Sequence, residues 1–200
     1  GGVLFILLCL TAISAIILGM GMTTTAVYIT VAALIVPSLI ESGILPIAAH
    51  MFAFYFGVVS TITPPVALAS FAGAAIAKSP PMSTAVESSK VGIAKYIVPF
   101  AFVYNPSLLM EGPIIWSIYS LMSVLLAYWC MTLGLEGWFN GRLNAFKRIL
   151  ALIGSVTLLI PPLQNIYGID GIYYNLSGVL ILMIIYYLQG KLNLKLKVSS

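Results

Sequence analysis

Residues 46–77 read PIAAHMFAFYFGVVSTITPPVALASFAGAAIA, and this stretch decides the fold. It holds no Asp, Glu, Lys or Arg; His50 is the chain's only histidine. As one straight helix it would run to roughly 48 Å, against about 30 Å of bilayer hydrocarbon. It must therefore break or tilt, and Pro64-Pro65 supplies the break, since proline removes a backbone donor and clashes with the preceding turn. Ser60-Thr61-Ile62-Thr63 leads into it. The break frees carbonyl oxygens among hydroxyl groups, in the middle of an apolar segment.

On its N-terminal side, residues 2–40 carry no charge at all, and their middle reads Gly19-Met20-Gly21-Met22-Thr23-Thr24-Thr25. Glu41-Ser42-Gly43 ends that stretch, and Pro46 starts the next helix, a position where proline is tolerated. On its C-terminal side, Lys78-Ser79-Pro80-Pro81 is a stop. Thr84-Ala85-Val86-Glu87 fits the capping-box pattern and predicts a short helix over 85–94. Four apolar runs follow, at 96–110, 113–133, 149–163 and 172–189. Tyr96, Trp116, Tyr128, Trp129, Trp138, Tyr167, Tyr173, Tyr174, Tyr186 and Tyr187 lie mostly near their ends, as interfacial anchors do.

Composition agrees. Of the 200 residues 61% are hydrophobic and 7% charged, against about 25% charged in a soluble domain, and mean hydropathy is +1.10. So few charges cannot cover a core of that size, so lipid must be the solvent over much of the chain. The start, Gly1-Gly2, has no initiator Met and no charged region before the first apolar run. It is read as a piece of a longer protein rather than as a signal peptide.

The 9 basic residues fall in three segments: Lys78, Lys90 and Lys95; Arg142, Lys147 and Arg148; Lys191, Lys195 and Lys197. Placing all three in the cytoplasm makes every later span alternate, with Glu111 and Asp170 in outer turns. Parity then admits either two full spans or one re-entrant hairpin for 2–40. A cytoplasmic loop at 19–25 would normally carry Lys or Arg, so the hairpin is favoured, its tip buried in protein or lining an aqueous cavity.

The tip and the break are the two points with chemistry. Thr hydroxyls and freed carbonyls make a neutral oxygen cage suited to a hard monovalent cation, and half-helix N-termini face anionic groups. The bland readings stand beside this one: Thr bonding back to its own helix, a plain proline kink, Gly-x-Gly used for packing. No acid lies in the middle of a span, which favours sodium over a proton relay. His50 near a span end reads as structural, Glu41 as an interfacial cap, and Cys9 and Cys130 as core residues. No paired nucleophile and base, transition-metal cluster, phosphate loop or basic patch interleaved with aromatics is present. Enzyme and nucleic-acid readings therefore fall away, and no cofactor is expected.

The stretches GMGMTTTAVYI (19–29), AAHMFAFYFGVVSTITPPVALASFAGAAIA (48–77) and VPFAFVYNPSLL (98–109) resemble the large permease (M) subunit of TRAP transporters, the tripartite ATP-independent periplasmic systems. More narrowly, the chain looks like the C-terminal portion of the fused permeases of the TAXI branch. The resemblance implies an all-α polytopic elevator-type transporter with two inverted repeats. The second hairpin (2–40) and second broken helix (46–77) would lie here, so that residues 1–77 belong to the transport domain. A cytoplasmic loop with an amphipathic, interfacial arm (84–95 within 78–95) would follow. The last core helix (96–110), extra C-terminal helices (111–190) and a basic cytoplasmic tail (191–200) would complete it. Gly19, Gly21, Thr23, Thr24, Thr25, Gly57, Ser60, Thr61, Thr63, Pro64 and Pro65 would contribute to a sodium site and substrate cavity. The family often carries proline where this chain has Thr23. Expected partners are a soluble periplasmic substrate-binding protein, the upstream half of the same permease and lipid. The expected setting is the bacterial inner membrane, with uptake of an organic acid. A non-transporting scaffold or a passive channel subunit is the competing reading.

Overall fold

The computed structural model describes residues 2–139, 141–166 and 168–198, without the side chains of Ile166 and of residues from Gly190 onward. Tyr167, expected as an anchor, and the side chains of Lys191, Lys195 and Lys197 lie outside the described residues. Two units divide the chain, Gly1–Leu109 and Met110–Ser200.

In the first unit, α1 (Gly2–Gly19) and α2 (Thr24–Leu34) form a helical hairpin, and α3 (Val36–Glu41) continues from α2. Helix α4 (Pro46–Val59) starts with proline at its first position and stops at the break. Helix α5 (Leu68–Ala77) resumes after it, so the 46–77 stretch is divided as its length requires. Helix α4 is the hub. Phe52, Phe56, Ala48, Ala49 and Ala53 pack with Leu8, Ala12 and Ala15 of α1 and with Val27 and Val31 of α2. Phe100 closes the core from α7 (Ile93–Tyr104), its ring 5.2 Å from that of Phe52 and 5.9 Å from that of Phe56. The alanines matter because small side chains let helices approach closely where lipid offers no hydrophobic driving force.

Helix α6 (Pro81–Val91) corrects the capping-box expectation. The helix starts ahead of Thr84, with Pro81 in its first turn. Thr84 lies inside it, donating to the Pro80 carbonyl at 3.0 Å, and Glu87 pairs with Lys90 rather than reaching back. Proline's preset φ wins the start position over a Thr cap. Residues 93–95, expected in the arm, belong to α7. The run 96–110 is α7 followed, after Asn105, by a 3-10 turn over Pro106–Leu109.

The second unit packs α8 (Ile114–Glu136), α9 (Ala145–Leu159) and α10 (Gly171–Val198). Two-residue strands β1 (Asn165–Ile166) and β2 (Ile169–Asp170) pair in the α9–α10 turn. The backbone of α10 runs on through the segment expected as a separate basic tail. Glycines fit the helices together: a Cβ on Gly178 would meet Leu158 and Thr157, and one on Gly154 would meet Ile181. Cys130 is buried in this core, while Cys9 is half-buried on α1.

Ile114–Glu136 and Gly171–Gln189 are long and apolar enough to cross a membrane, while α1, α2, α4, α5 and α7 are shorter apolar helices. Ile6, Leu10, Ile13 and Ile17 of α1 and Ile114, Ile118, Leu121 and Leu125 of α8 are exposed. Continuous apolar faces of this kind suit hydrocarbon rather than water. The chain is an all-α polytopic membrane protein.

Candidate functional site

The hairpin turns within four residues. Helix α1 ends at Gly19, and the Met22 amide reaches back to the Gly19 carbonyl at 3.5 Å. Gly21 takes φ +80°, with open space around it, a conformation that a side chain resists. Thr23 caps α2, its hydroxyl accepting from the Ala26 amide at 3.4 Å. Thr24 and Thr25 open the helix and are exposed. Thr23 thus satisfies an amide orphaned at a helix start. Among the described residues no hydrogen bond joins Thr23, Thr24 or Thr25 to the break.

At the break, successive hydroxyls turn onto the last carbonyls of α4. Ser60 Oγ donates to Gly57 O at 2.5 Å, Thr61 Oγ1 to Val58 O at 2.8 Å and Thr63 Oγ1 to Val59 O at 2.7 Å. The Val58 and Val59 carbonyls also accept from the Thr61 and Ile62 amides, and the Ser60 carbonyl, which Pro64 cannot serve, accepts from the Thr63 amide at 3.3 Å, so the break does not leave it free as expected. Each hydroxyl oxygen still keeps its lone pairs. Beyond the prolines, the Ala69 amide donates back to the Thr61 carbonyl at 3.0 Å, tying α5 to the break. Pro64 is half-buried and Pro65 exposed.

Ser60 joins the two motifs. Its buried Oγ lies 3.1 Å from the Gly19 carbonyl as well as 2.5 Å from that of Gly57. A Cβ on Gly19 would overlap the Ser60 side chain, and one on Gly57 would come within 2.9 Å of Val27 Cγ1. Both glycines are therefore close-approach residues, and they bring hairpin tip and helix break to one place. Gly19, Gly57 and Ser60 meet there, with Thr61 and Thr63 on the adjoining turns.

Two residues of this site were missed in the sequence. Tyr96, read as an interfacial anchor, places its hydroxyl 2.7 Å from Thr63 Oγ1. Ser89 of α6 donates to the Ile62 carbonyl at 3.0 Å, and Tyr96 Oη lies 3.4 Å from Ser89 Oγ. Counting protons orders the network. Thr63 gives its proton to Val59 and Ser89 gives its proton to Ile62, so the Tyr96 proton goes chiefly to Thr63. Ser89 belongs to α6 and Tyr96 to α7, so no periodicity within one helix could have announced the pair. Gly92 lies between them, and a Cβ there would meet Ile62 Cδ1 at 2.6 Å. Away from the break, Tyr28 Oη and His50 Nδ1 are 3.0 Å apart, linking α2 to α4.

Two turns of irregular backbone are held together inside apolar helices and edged by hydroxyl and carbonyl oxygens, a pattern that membrane transport proteins use. The chain belongs to the tripartite ATP-independent periplasmic transporter family: the model of its DctM component matches residues 1–117. No curated protein and no solved structure matches the chain.

Proposed function

We propose that this DctM-family chain is part of a sodium-coupled permease that takes up an organic acid handed over by a soluble periplasmic binding protein. The setting is the bacterial inner membrane, with the three basic segments and the C-terminus in the cytoplasm. Residues 2–40 act as a re-entrant hairpin and 46–77 as the broken helix of a second repeat, with the first repeat in the upstream half. Residues 111–190 correspond to the added helices of TAXI-type fused permeases.

The observation that carries this reading is the meeting of the Gly19 carbonyl, the Gly57 carbonyl and the Ser60 hydroxyl. The serine has one proton for two carbonyls, so oxygen lone pairs outnumber donors there. Unwound carbonyls and hydroxyls of broken helices are what a sodium ion uses in secondary transporters. Hard cations of this kind take oxygen ligands. Thr61, half-buried with its proton committed to Val58, offers a further oxygen at the same turn, and Thr24 and Thr25, exposed at the start of α2, would contribute to binding the organic anion.

Thermal stability of the full-length permease in sodium chloride and in choline chloride, at equal ionic strength, tests this. A ligand at a hundredfold excess over its Kd stabilises the folded state by about 2.7 kcal/mol. Sodium is expected to raise the midpoint, and Thr61→Val with Thr63→Val to abolish the rise. Tyr96→Phe, which keeps both threonines, is expected to retain it. Identical curves in the two salts would reject sodium coupling at this site, leaving proton coupling through the upstream half or a scaffold role.

A further inference from the structure

The carbonyls along the break find their donors in different places. In an unbroken helix those of Ser60, Thr61 and Ile62 would accept from the amides of residues 64, 65 and 66. Pro64 and Pro65 have no amide proton to give. The Ser60 carbonyl accepts from the Thr63 amide at 3.3 Å and the Thr61 carbonyl from the Ala69 amide at 3.0 Å, both within the 46–77 segment. The Ile62 carbonyl accepts from Ser89 Oγ at 3.0 Å. Its donor comes from α6, 27 residues further along the chain.

The Ile62 side chain meets the same region. A Cβ on Gly92 would come within 2.6 Å of Ile62 Cδ1 and 3.0 Å of the Ser88 carbonyl, so glycine lets the α6–α7 connection lie close against the break. Beside that contact is a cavity of about 450 Å³, lined by Ile62, Thr84, Ser88, Val91 and Gly92 among others. Packing therefore leaves Ile62 room to shift, and the Ser89 bond fixes the direction of its carbonyl. Thr61 and Thr63 are the chain neighbours of Ile62. A turn of the peptide between residues 62 and 63 carries Thr63 with it and disturbs Thr61, whose hydroxyl is the further sodium ligand proposed above.

We propose that Ser89 is a positioning residue for the cation site at the break: by holding the Ile62 carbonyl from α6, it sets the affinity for sodium at oxygens that it does not itself touch. The inference rests on the sodium reading above and extends that site to a helix outside both the hairpin and the broken helix. Without the hydroxyl, the half-buried Ile62 carbonyl loses its donor, which is costly, and the peptide turns toward the adjoining cavity. The oxygens around Thr61 are then no longer held in one geometry. Binding that draws on preorganised groups weakens when they must be ordered by the ligand.

The test is a sodium titration of the thermal midpoint of the full-length permease in detergent, with choline holding the ionic strength constant. The midpoint in choline alone reports folding, and the sodium concentration at half of the sodium-induced rise reports the site. Ser89→Ala is expected to raise that half-saturating concentration about five-fold, the scale of one hydrogen bond. Ser89→Thr, which keeps the hydroxyl, is expected to keep the wild-type value. If Ser89→Ala does not fold, Ser89→Cys, with a weaker donor in the same place, is expected to shift the concentration in the same direction. Lys90→Gln, exposed on the same helix and paired with Glu87, is expected to leave it unchanged. A lower midpoint in choline with an unchanged half-saturating concentration in Ser89→Ala or Ser89→Cys would overturn the proposal alone, leaving Ser89 a purely structural tie. A wild-type protein with no sodium response would overturn the sodium reading and this inference with it.

Discussion

The hydroxyl of Ser60 lies 3.1 Å from the carbonyl of Gly19, across 41 residues of chain, and this buried contact joins the hairpin tip to the helix break. Neither group could be left alone without cost, because both residues are buried. Ser60→Ala is expected to destabilise the folded protein by about 1–2 kcal/mol, the cost of stranding a buried acceptor. Thermal unfolding in detergent measures it.

Gly19→Ala tests the same contact from the other side. An added Cβ would lie 2.7 Å from Ser60 Cβ and 3.3 Å from the Gly57 carbonyl, so a loss of about 1–3 kcal/mol is expected. Because the collision involves both Oγ and Cβ of Ser60, Ser60→Ala will relieve it only in part, whereas Ser60→Gly will relieve more of it. A double-mutant cycle on unfolding free energies separates the two outcomes.

The Thr63, Tyr96 and Ser89 hydroxyls share one network, so their losses should not add. Tyr96→Phe and Ser89→Ala are each expected to cost about 1 kcal/mol, and the double variant less than the sum. Additive losses would show that the two side chains act separately on the break.

At the end of α8, Arg148 Nε and one terminal guanidinium nitrogen reach the carbonyls of Gly134 and Leu135 at 2.9 and 2.7 Å. A cation on a helix C-terminus satisfies orphan carbonyls and the local dipole. Arg148→Ala should cost about 1–2 kcal/mol, and Arg148→Lys should recover only part of it, since an ammonium lacks the planar fork. Gly137→Ala should also destabilise: Gly137 sits at φ +67°, and a Cβ there would come within 2.9 Å of Arg148 Nε. The same unfolding assay reads all three.

Much of this was legible in the chain itself. The absence of charge over 2–40 and 46–77 demanded membrane helices, because apolar surface on that scale has no other partner. Pro64-Pro65 in a segment too long for the bilayer demanded a break, because proline cannot continue a hydrogen-bonded helix. Gly19 to Thr25 announced a turn, and Pro46 a helix start. These are local or compositional facts, decided by backbone covalent geometry and by solvent.

The tertiary structure decided which of these residues meet. That Ser60 reaches Gly19, that Tyr96 meets Thr63, and that Ser89 covers the Ile62 carbonyl all depend on how α1, α4, α6 and α7 pack. A hydroxyl's partner, once its helix is packed, is set by close approach at glycines and by the count of available protons. Neither is written at any single position. The start of α6 was misread for a related reason: two local signals, Pro81 and Thr84, competed within one turn, and the one already fixed in φ prevailed. The sequence by itself determined a helical membrane chain with two breaks, through solvent and covalent geometry. Only packing decided that the breaks share one site.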